Sequence, residues 1–414
     1  MEPSRVKQRH LVLALLSSLS VILFLDRICI AVAGPRMQDE LGIPPERWGW
    51  VLGAFMLAYG LFEIPTGALG DRIGQRSVVT RIVFWWSGFT ALTGVVSGFI
   101  PLVLVRFLFG AGEAGAYPNA SGSIAHWFPA RERGRAQGWV LGAGRFGGAL
   151  TPLLVVPIQA RFGWRATFWI FGAVGVAWAV LWHRLYRDRP REHPHTTDAE
   201  LAEIGEDATT PRGGAIPWRV LLHSRAFWLI VAMYGCYAWG PWFYFSWLQT
   251  WLVKGRGFSE LEMGTLSTLP FLIGTAANLA GGALSDRMTR RHPRGRALIG
   301  LICGTLAGLC LAAAALVPGK AAAITLATLG FGAMDLMLPS AWAVCLDVGA
   351  EYAGAVTGAM NSAGALGGAL CAVVFGYIVK ATGSYDLPLL VIAGALGLSG
   401  ILFSRIDPRR RLVG

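Results

Sequence analysis

The chain's 414 residues are 54% hydrophobic and only 14% charged, with a mean hydropathy of +0.51 and a formal net charge of +12. This profile excludes an ordinary soluble domain, in which about a quarter of the residues are charged. The positive charge could announce a nucleic-acid binder, but no segment interleaves basic residues with exposed aromatics on a polar scaffold.

A bilayer-spanning helix needs about 20 mostly apolar residues. Such segments recur near 11 to 34, 47 to 69, 78 to 99, 101 to 125, 136 to 158, 165 to 186, 226 to 252, 262 to 284, 296 to 317, 320 to 345, 353 to 379 and 386 to 405, which makes twelve spans. The N-terminal run imitates a signal peptide, but Asp26-Arg27 interrupts it where such a peptide stays apolar. We therefore read it as span 1. Span 2 carries Tyr59 and Glu63 and leads into Gly67-Ala-Leu-Gly-Asp71-Arg72-Ile-Gly-Gln-Arg76. In that loop Asp71 is expected to meet a helix N-terminus or an arginine and to help close one end of the bundle. Glu63, within two turns of the Asp71 loop, is assigned to the same gate.

Span 4 holds the most informative stretch, Arg106-Phe-Leu-Phe-Gly-Ala-Gly-Glu113. An ionised group at the bilayer centre costs at least about 2.5–3.5 kcal/mol, so such residues face a partner or a watery cavity. Arg106 and Glu113 are two helical turns apart, on one face and roughly 10 Å apart along the axis. The glycines between them let a neighbouring helix or a ligand approach the backbone. Span 5 adds Arg145. The sequon Asn119-Ala-Ser121 lies at a membrane helix end, where glycosylation is not expected.

Residues 187 to 224 form a polar linker with Pro190, Pro194, Pro211 and several acids. It separates an N-terminal half (1–186) from a C-terminal half (225–414), and the halves repeat. Gly282-Ala-Leu-Ser-Asp286-Arg287-Met-Thr-Arg-Arg291 follows span 8 as the Asp71 loop follows span 2, at an offset of 215. Gly354-Ala-Val-Thr-Gly358 in span 11 matches Gly138-Trp-Val-Leu-Gly142 in span 5, at an offset of 216. Two similar offsets in equivalent spans indicate parallel six-helix repeats, with a binding site between them near the midplane. The alignment sets Phe331-Gly-Ala-Met-Asp335 of span 10 against Phe109-Gly-Ala-Gly-Glu113, and Arg145 against Asn361. Asp335 and Arg145 are therefore expected at the same central cavity. Span 7 is crowded with Tyr234, Tyr237, Trp239, Trp242, Tyr244 and Trp247, read mainly as packing and belt residues.

Of the 36 lysines and arginines, 25 fall on the side of the termini and eight on the other, leaving Arg27, Arg106 and Arg145 inside spans. The positive-inside rule assigns both termini to the cytoplasm. All six cysteines fall within spans and read as small packing residues.

With these motifs assembled, the chain resembles the major facilitator superfamily, and within it the anion:cation symporters of sugar acids, hexuronates and related carboxylates. The resemblance spans nearly the whole chain. It rests on Asp26-Arg27, the Gly67 to Arg76 loop, Arg106 to Pro118, Glu132-Arg133-Gly134-Arg135-Ala136, Leu269-Pro270-Phe271 and Thr357-Gly358-Ala359-Met360-Asn361. It implies an all-α membrane protein of twelve transmembrane helices in two six-helix halves. It also implies that Asp26, Arg27 and Glu113 handle proton and anion, that Tyr59 and Arg106 line the site, and that Asn361 meets a substrate hydroxyl. Two departures concern the substrate. The family's Trp-Leu-Pro-Thr-Tyr-Leu of span 7 is here Trp247-Leu-Gln249-Thr-Trp251-Leu, and a tyrosine often found before the span 1 aspartate is Phe24.

The expectation is a secondary transporter, not an enzyme, that imports a small organic anion, most simply a sugar acid, with protons by alternating access. Asp26, Glu113 and Asp335 are its coupling acids. Arg27, Arg106 and Arg145, which offer bidentate recognition of carboxylates, hold the substrate together with Tyr59, Ser340 and Asn361. Glu63, Asp71, Arg72, Arg76, Asp286 and Arg287 form the gate. Organic-phosphate exchange, the alternative, resembles carriers with an arginine in span 7, and the core of span 7 has none. No Walker loop, dinucleotide fingerprint or metal-ligand spacing occurs, so no cofactor is expected. The expected surroundings are the plasma-membrane bilayer and protons, with the chain acting as a monomer and without nucleic acid.

Overall fold

The computed structural model describes residues 7–205, 218–292, 294–349 and 353–407, and the regular structure among them is helical. The first half runs through α1 (Gln8–Leu41), α2 (Pro45–Ile73), α3 (Gln75–Thr93), α4 (Phe99–Glu113), α5 (Ala116–Trp127), α6 (Ala130–Phe162) and α7 (Trp164–Leu185). Two short helices lie in the linker, α8 (Asp198–Ile204) and α9 (Trp218–His223). The second half contains α10 (Arg225–Tyr237), α11 (Trp239–Ser246), α12 (Leu248–Thr250), α13 (Glu260–Leu266), α14 (Thr268–Arg291), α15 (Gly295–Leu316), α16 (Lys320–Gly349), α17 (Ala353–Thr382) and α18 (Leu387–Ser404).

Eight helical segments among the described residues are long and apolar enough to cross a membrane. The other four expected spans fall on α2, on α3 with polar first turns at Arg76, Thr80 and Arg81, on the broken run α10 to α12, and on α14, which ends in charge.

Two of the breaks within spans lie just before a proline. Its ring clashes with the carbonyl four residues earlier and offers that carbonyl no N–H. Pro118 releases the carbonyl of Ala114, and span 4 parts between Glu113 and Ala116. Pro241 likewise faces Tyr237, where α10 ends. Beyond α12 the chain widens into a π turn at Trp251–Gly255. Pro339 lies inside the continuous α16, four residues after Asp335. Between α2 and α3 the chain turns on Gly74 alone, at φ 88°, a conformation open to a residue without Cβ. Asp188 then accepts the Arg76 N–H at 2.8 Å, serving an orphan donor at the start of α3.

The halves meet mainly along α2 with α17 and α6 with α14. The α2/α17 seam is backbone-close: a β-carbon at Gly53 would stand 3.0 Å from a Val373 methyl carbon and 3.2 Å from the Ala369 carbonyl. At the end of the bundle bearing the α1/α2 turn, ion pairs cross the seam. Arg36 binds Glu260 at 2.6 Å, Lys254 binds Asp39 at 2.6 Å and Lys380 binds Glu46 at 2.9 Å. Toward the end bearing the termini the halves part: Gly138, Gly142 and Gly358 have open space where a side chain would be, and Trp139, Leu141 and Leu69 are exposed.

At that open end the linker grips α1. Glu200 accepts the N–H groups of Gln8 and Arg9 at 3.1 and 2.9 Å, and Glu203 pairs with Lys7 and Arg9 at 2.6 and 2.8 Å. The hydrogen bond from Lys7 holds the Glu203 carboxyl below the usual glutamate range. Asn119, the sequon residue, is buried and donates to the carbonyls of Gly115 and Thr66, tying α5 to α2.

Candidate functional site

α1, α2 and α4 bring the charges of the N-terminal half together at mid-depth. The Arg27 Nε donates to Glu113 Oε1 at 2.9 Å, and its Nη2 bonds the same oxygen. Four rings surround this guanidinium, with centroids at 5.4 Å (Phe24), 5.3 Å (Phe55), 5.0 Å (Tyr59) and 5.9 Å (Trp242). Such a cage suits a weakly hydrated cation. Trp242 belongs to the other half, so the cage forms only when the halves come together.

Arg106 differs. It is 2% exposed and lies over Phe55 and Phe109 at 5.0 and 4.5 Å, yet it has no hydrogen bond or ion pair among the described residues. Gly110 lets α4 come close enough for this, because a side chain there would overlap the Phe55 carbonyl. Asp26, 1% exposed, likewise has both carboxyl oxygens buried and without a well-formed hydrogen bond, near the Trp86 indole and within electrostatic reach of Arg106 and Glu113. The second oxygen of Glu113 is also unpartnered. Two arginines and two acids thus share the cluster, but buried polar atoms left without hydrogen bonds are costly, so its hydrogen bonding is incomplete as it stands.

Between the halves lies a cavity lined by Arg27 and Arg106, by Ile30, Leu52, Phe55 and Met56 of the same half, and by Trp242, Phe245, Ser246 and Ala372 of the other. It measures about 10 Å³, room for roughly one water. The seam is thus closed tightly around the two arginines.

The remaining sequence-expected residues sit elsewhere. Arg145 crosses the halves to Asp335 at 2.9 Å, its guanidinium between Phe245 and Phe331. Asn361 donates to both oxygens of Glu63 at 2.8 and 2.7 Å, also across the halves. Ser340 is fully buried, its hydroxyl without a hydrogen bond. Arg76 donates to the His183 carbonyl at 2.9 and 2.6 Å, within its own half. Arg72 and Arg287 are exposed, and the side chains of Asp71 and Asp286 lie outside the described residues.

Sequence reasoning did not single out Phe55, Phe245, Ser246 or Ala372, which belong to no motif. Gln249 carried a signal, as the departure from the span 7 pattern. It is buried with both amide atoms unpartnered, one turn from Ser246.

The sequence profile of the Major Facilitator Superfamily matches residues 16–372. Over 412 residues, 98% of this chain and 95% of the relative, the chain is 34% identical to the "Probable sulfoacetate transporter" of Cupriavidus necator. It is 30% identical to the "Probable galactarate/D-glucarate transporter" of Bacillus subtilis, covering 98% of this chain and 93% of the relative. It is also 30% identical to the "D-galactonate transporter" of Escherichia coli O6:H1, covering 96% and 94%. Among solved structures, the fold is similar to an inward-facing, unoccupied bacterial homolog of the human lysosomal transporter Spinster. The TM-score is 0.81 at 20% identity, covering 99% of each chain.

Proposed function

The chain belongs to the Major Facilitator Superfamily of multi-pass membrane transporters, and on that premise we propose that it imports a small organic anion together with protons by alternating access. The observation that carries this reading is Arg106, a buried guanidinium that makes no hydrogen bond or contact ion pair among the described residues, beside the Arg27–Glu113 pair in the cavity between the halves. A guanidinium in a membrane interior whose N–H groups are not taken by its neighbouring acids is a place for an anion. That related chains are named as sulfoacetate, galactarate and galactonate carriers supports the substrate class.

Arg106 receives the substrate's acid group. Arg27 joins it once Glu113 releases its hold, and a proton on Glu113 does that by removing the charge that pairs them. Proton and anion therefore favour each other's binding, which is the requirement for symport. Asp26 is the second coupling acid, since a carboxyl with neither oxygen partnered is suited to carry a proton through a closed site. Asp335 is the third, reached only when its bond to Arg145 opens.

The concentration of arginines at the open end supports cytoplasmic termini and a plasma-membrane location. The ion pairs from Arg36, Lys254 and Lys380 then close the outer side. Glu63, with Asn361, and the loops around Asp71, Arg72, Arg76, Asp286 and Arg287 make up the cytoplasmic gate. One chain supplies both walls of the cavity, consistent with a monomeric transport unit.

The test is uptake of labelled anions into proteoliposomes with an imposed proton gradient. Arg106→Lys keeps the charge but loses the fork, and should weaken substrate binding by about 1.5–3 kcal/mol. Unchanged affinity in this mutant would remove Arg106 from the site.

A further inference from the structure

Resting on the anion-import reading, we propose that the substrate is a short dianion, with an acid group at each end and few or no hydroxyls between. A sugar acid, which the family resemblance implies, would bring a row of hydroxyls into the cavity. Each one buried without a partner weakens binding. Beside the two arginines, the cavity wall offers the Ser246 hydroxyl and the edge of Trp242, and the rest is hydrocarbon and benzyl ring. The Ser246 hydroxyl already donates to the Trp242 carbonyl.

Of the polar groups expected to meet hydroxyls, Asn361, Arg145, Ser340 and Tyr59 are committed or absent from the wall, and the unpartnered Gln249 amide, one turn from Ser246, does not line it either. The Asn361 amide is spent on both oxygens of Glu63. Arg145 is held by Asp335. Ser340 and Tyr59 do not line the cavity, and the Tyr59 ring lies beneath Arg27 at 5.0 Å.

Charge and spacing favour an acid at each end. Arg27 and Arg106 are two fixed cations, while Asp26 and Glu113 are the acids beside them. With both acids protonated the site carries two positive charges, which one dianion neutralises and a monoanion does not. Both guanidinium carbons lie near the same Phe55 ring, at 5.3 and 5.0 Å from its centroid. They are therefore no farther apart than about twice that distance, and a short molecule can bridge them without filling a large chamber. The Phe55 ring, close to both, offers an apolar surface for its carbon link.

The experiment uses the purified full-length protein in detergent and follows tryptophan fluorescence, which Trp242 at the site makes sensitive to occupancy. Sulfoacetate, succinate, acetate and D-galactonate are titrated at fixed pH. Sulfoacetate and succinate should bind about tenfold or more tighter than both acetate and D-galactonate. D-galactonate binding as tightly as the dianions would overturn the proposal and leave anion import standing, as would acetate matching succinate. Absence of binding by every anion would instead overturn the import reading and this proposal with it. In Arg106→Gln, checked for an unchanged melting transition, the preference of succinate over acetate should collapse. A preserved preference would show that the second acid group does not use Arg106.

Discussion

Two buried arginine–carboxylate pairs lie at mid-depth in this bundle, and they differ in what surrounds them. Arg27–Glu113 is contained within the N-terminal half, borders the cavity and has the unpaired Arg106 as a neighbour. Arg145–Asp335 joins the two halves and stands outside the cavity lining. The sequence alignment of the two halves sets their acids, Glu113 and Asp335, opposite one another, yet the two stand in different surroundings. The first pair can trade its partner for a ligand without breaking a bond between the halves. The second opens only if the halves separate along the α6/α16 contact.

The largest expected effect comes from breaking the cross-half pair. Asp335→Asn leaves Arg145 buried without a counter-charge, a loss of about 3–5 kcal/mol where the pair is fully formed. It should lower the melting temperature markedly and slow transport, and Arg145→Gln in the same chain should recover much of the stability. If Asp335 is a coupling acid as well as a strut, the pH dependence of transport in the double mutant will still differ from wild type. Asn361→Ala is a milder version on the opposite seam. It removes two hydrogen bonds to Glu63 and should cost about 1.5–3 kcal/mol, read as reduced melting temperature and a shifted balance of cysteine accessibility between the two sides.

Smaller again is Lys254→Ala. Asp39 is largely exposed, and surface pairs contribute about 0–1 kcal/mol. We expect nearly unchanged stability, with a slight gain in outer-side accessibility that added salt reproduces in wild type. A reference point away from both pairs is His193 in the linker, packed edge-on against Trp127. Burial lowers its pKa from 6.5. The folded state thus prefers the neutral ring, so this contribution to stability is present above about pH 6.5 and lost as pH falls through the lower folded value. His193→Gln should flatten that acid-side loss, measured as melting temperature against pH, without altering substrate affinity.

Much of the fold was legible because the bilayer imposes a length on apolar segments, and the Asp71/Asp286 loops with their matching offset revealed the repeat. Asp26, Arg27, Arg106 and Glu113 stood out because charge is rare in such segments. The interruptions were less readable. At Pro118 the break falls before the proline, just past Glu113, at the carbonyl its ring obstructs. The pairing of Glu63 with Asn361 was hidden because they are 298 residues apart in unrelated motifs. The repeat did hint at it, by aligning Asn361 with Arg145: each residue reaches across to an acid of the opposite half. The apolar wall of Phe55, Phe245 and Ala372 carried no signal, since such residues are ordinary anywhere in a membrane helix.

The central claim is that Glu113 couples proton to anion by holding and releasing Arg27. The most direct measurement compares Glu113→Gln with wild type in proteoliposomes, first for accumulation driven by a proton gradient and then for counterflow exchange with no gradient. The account predicts that the mutant keeps substrate binding and counterflow, because its neutral amide leaves Arg27 free, and loses gradient-driven accumulation. Full proton-driven accumulation by Glu113→Gln would contradict it.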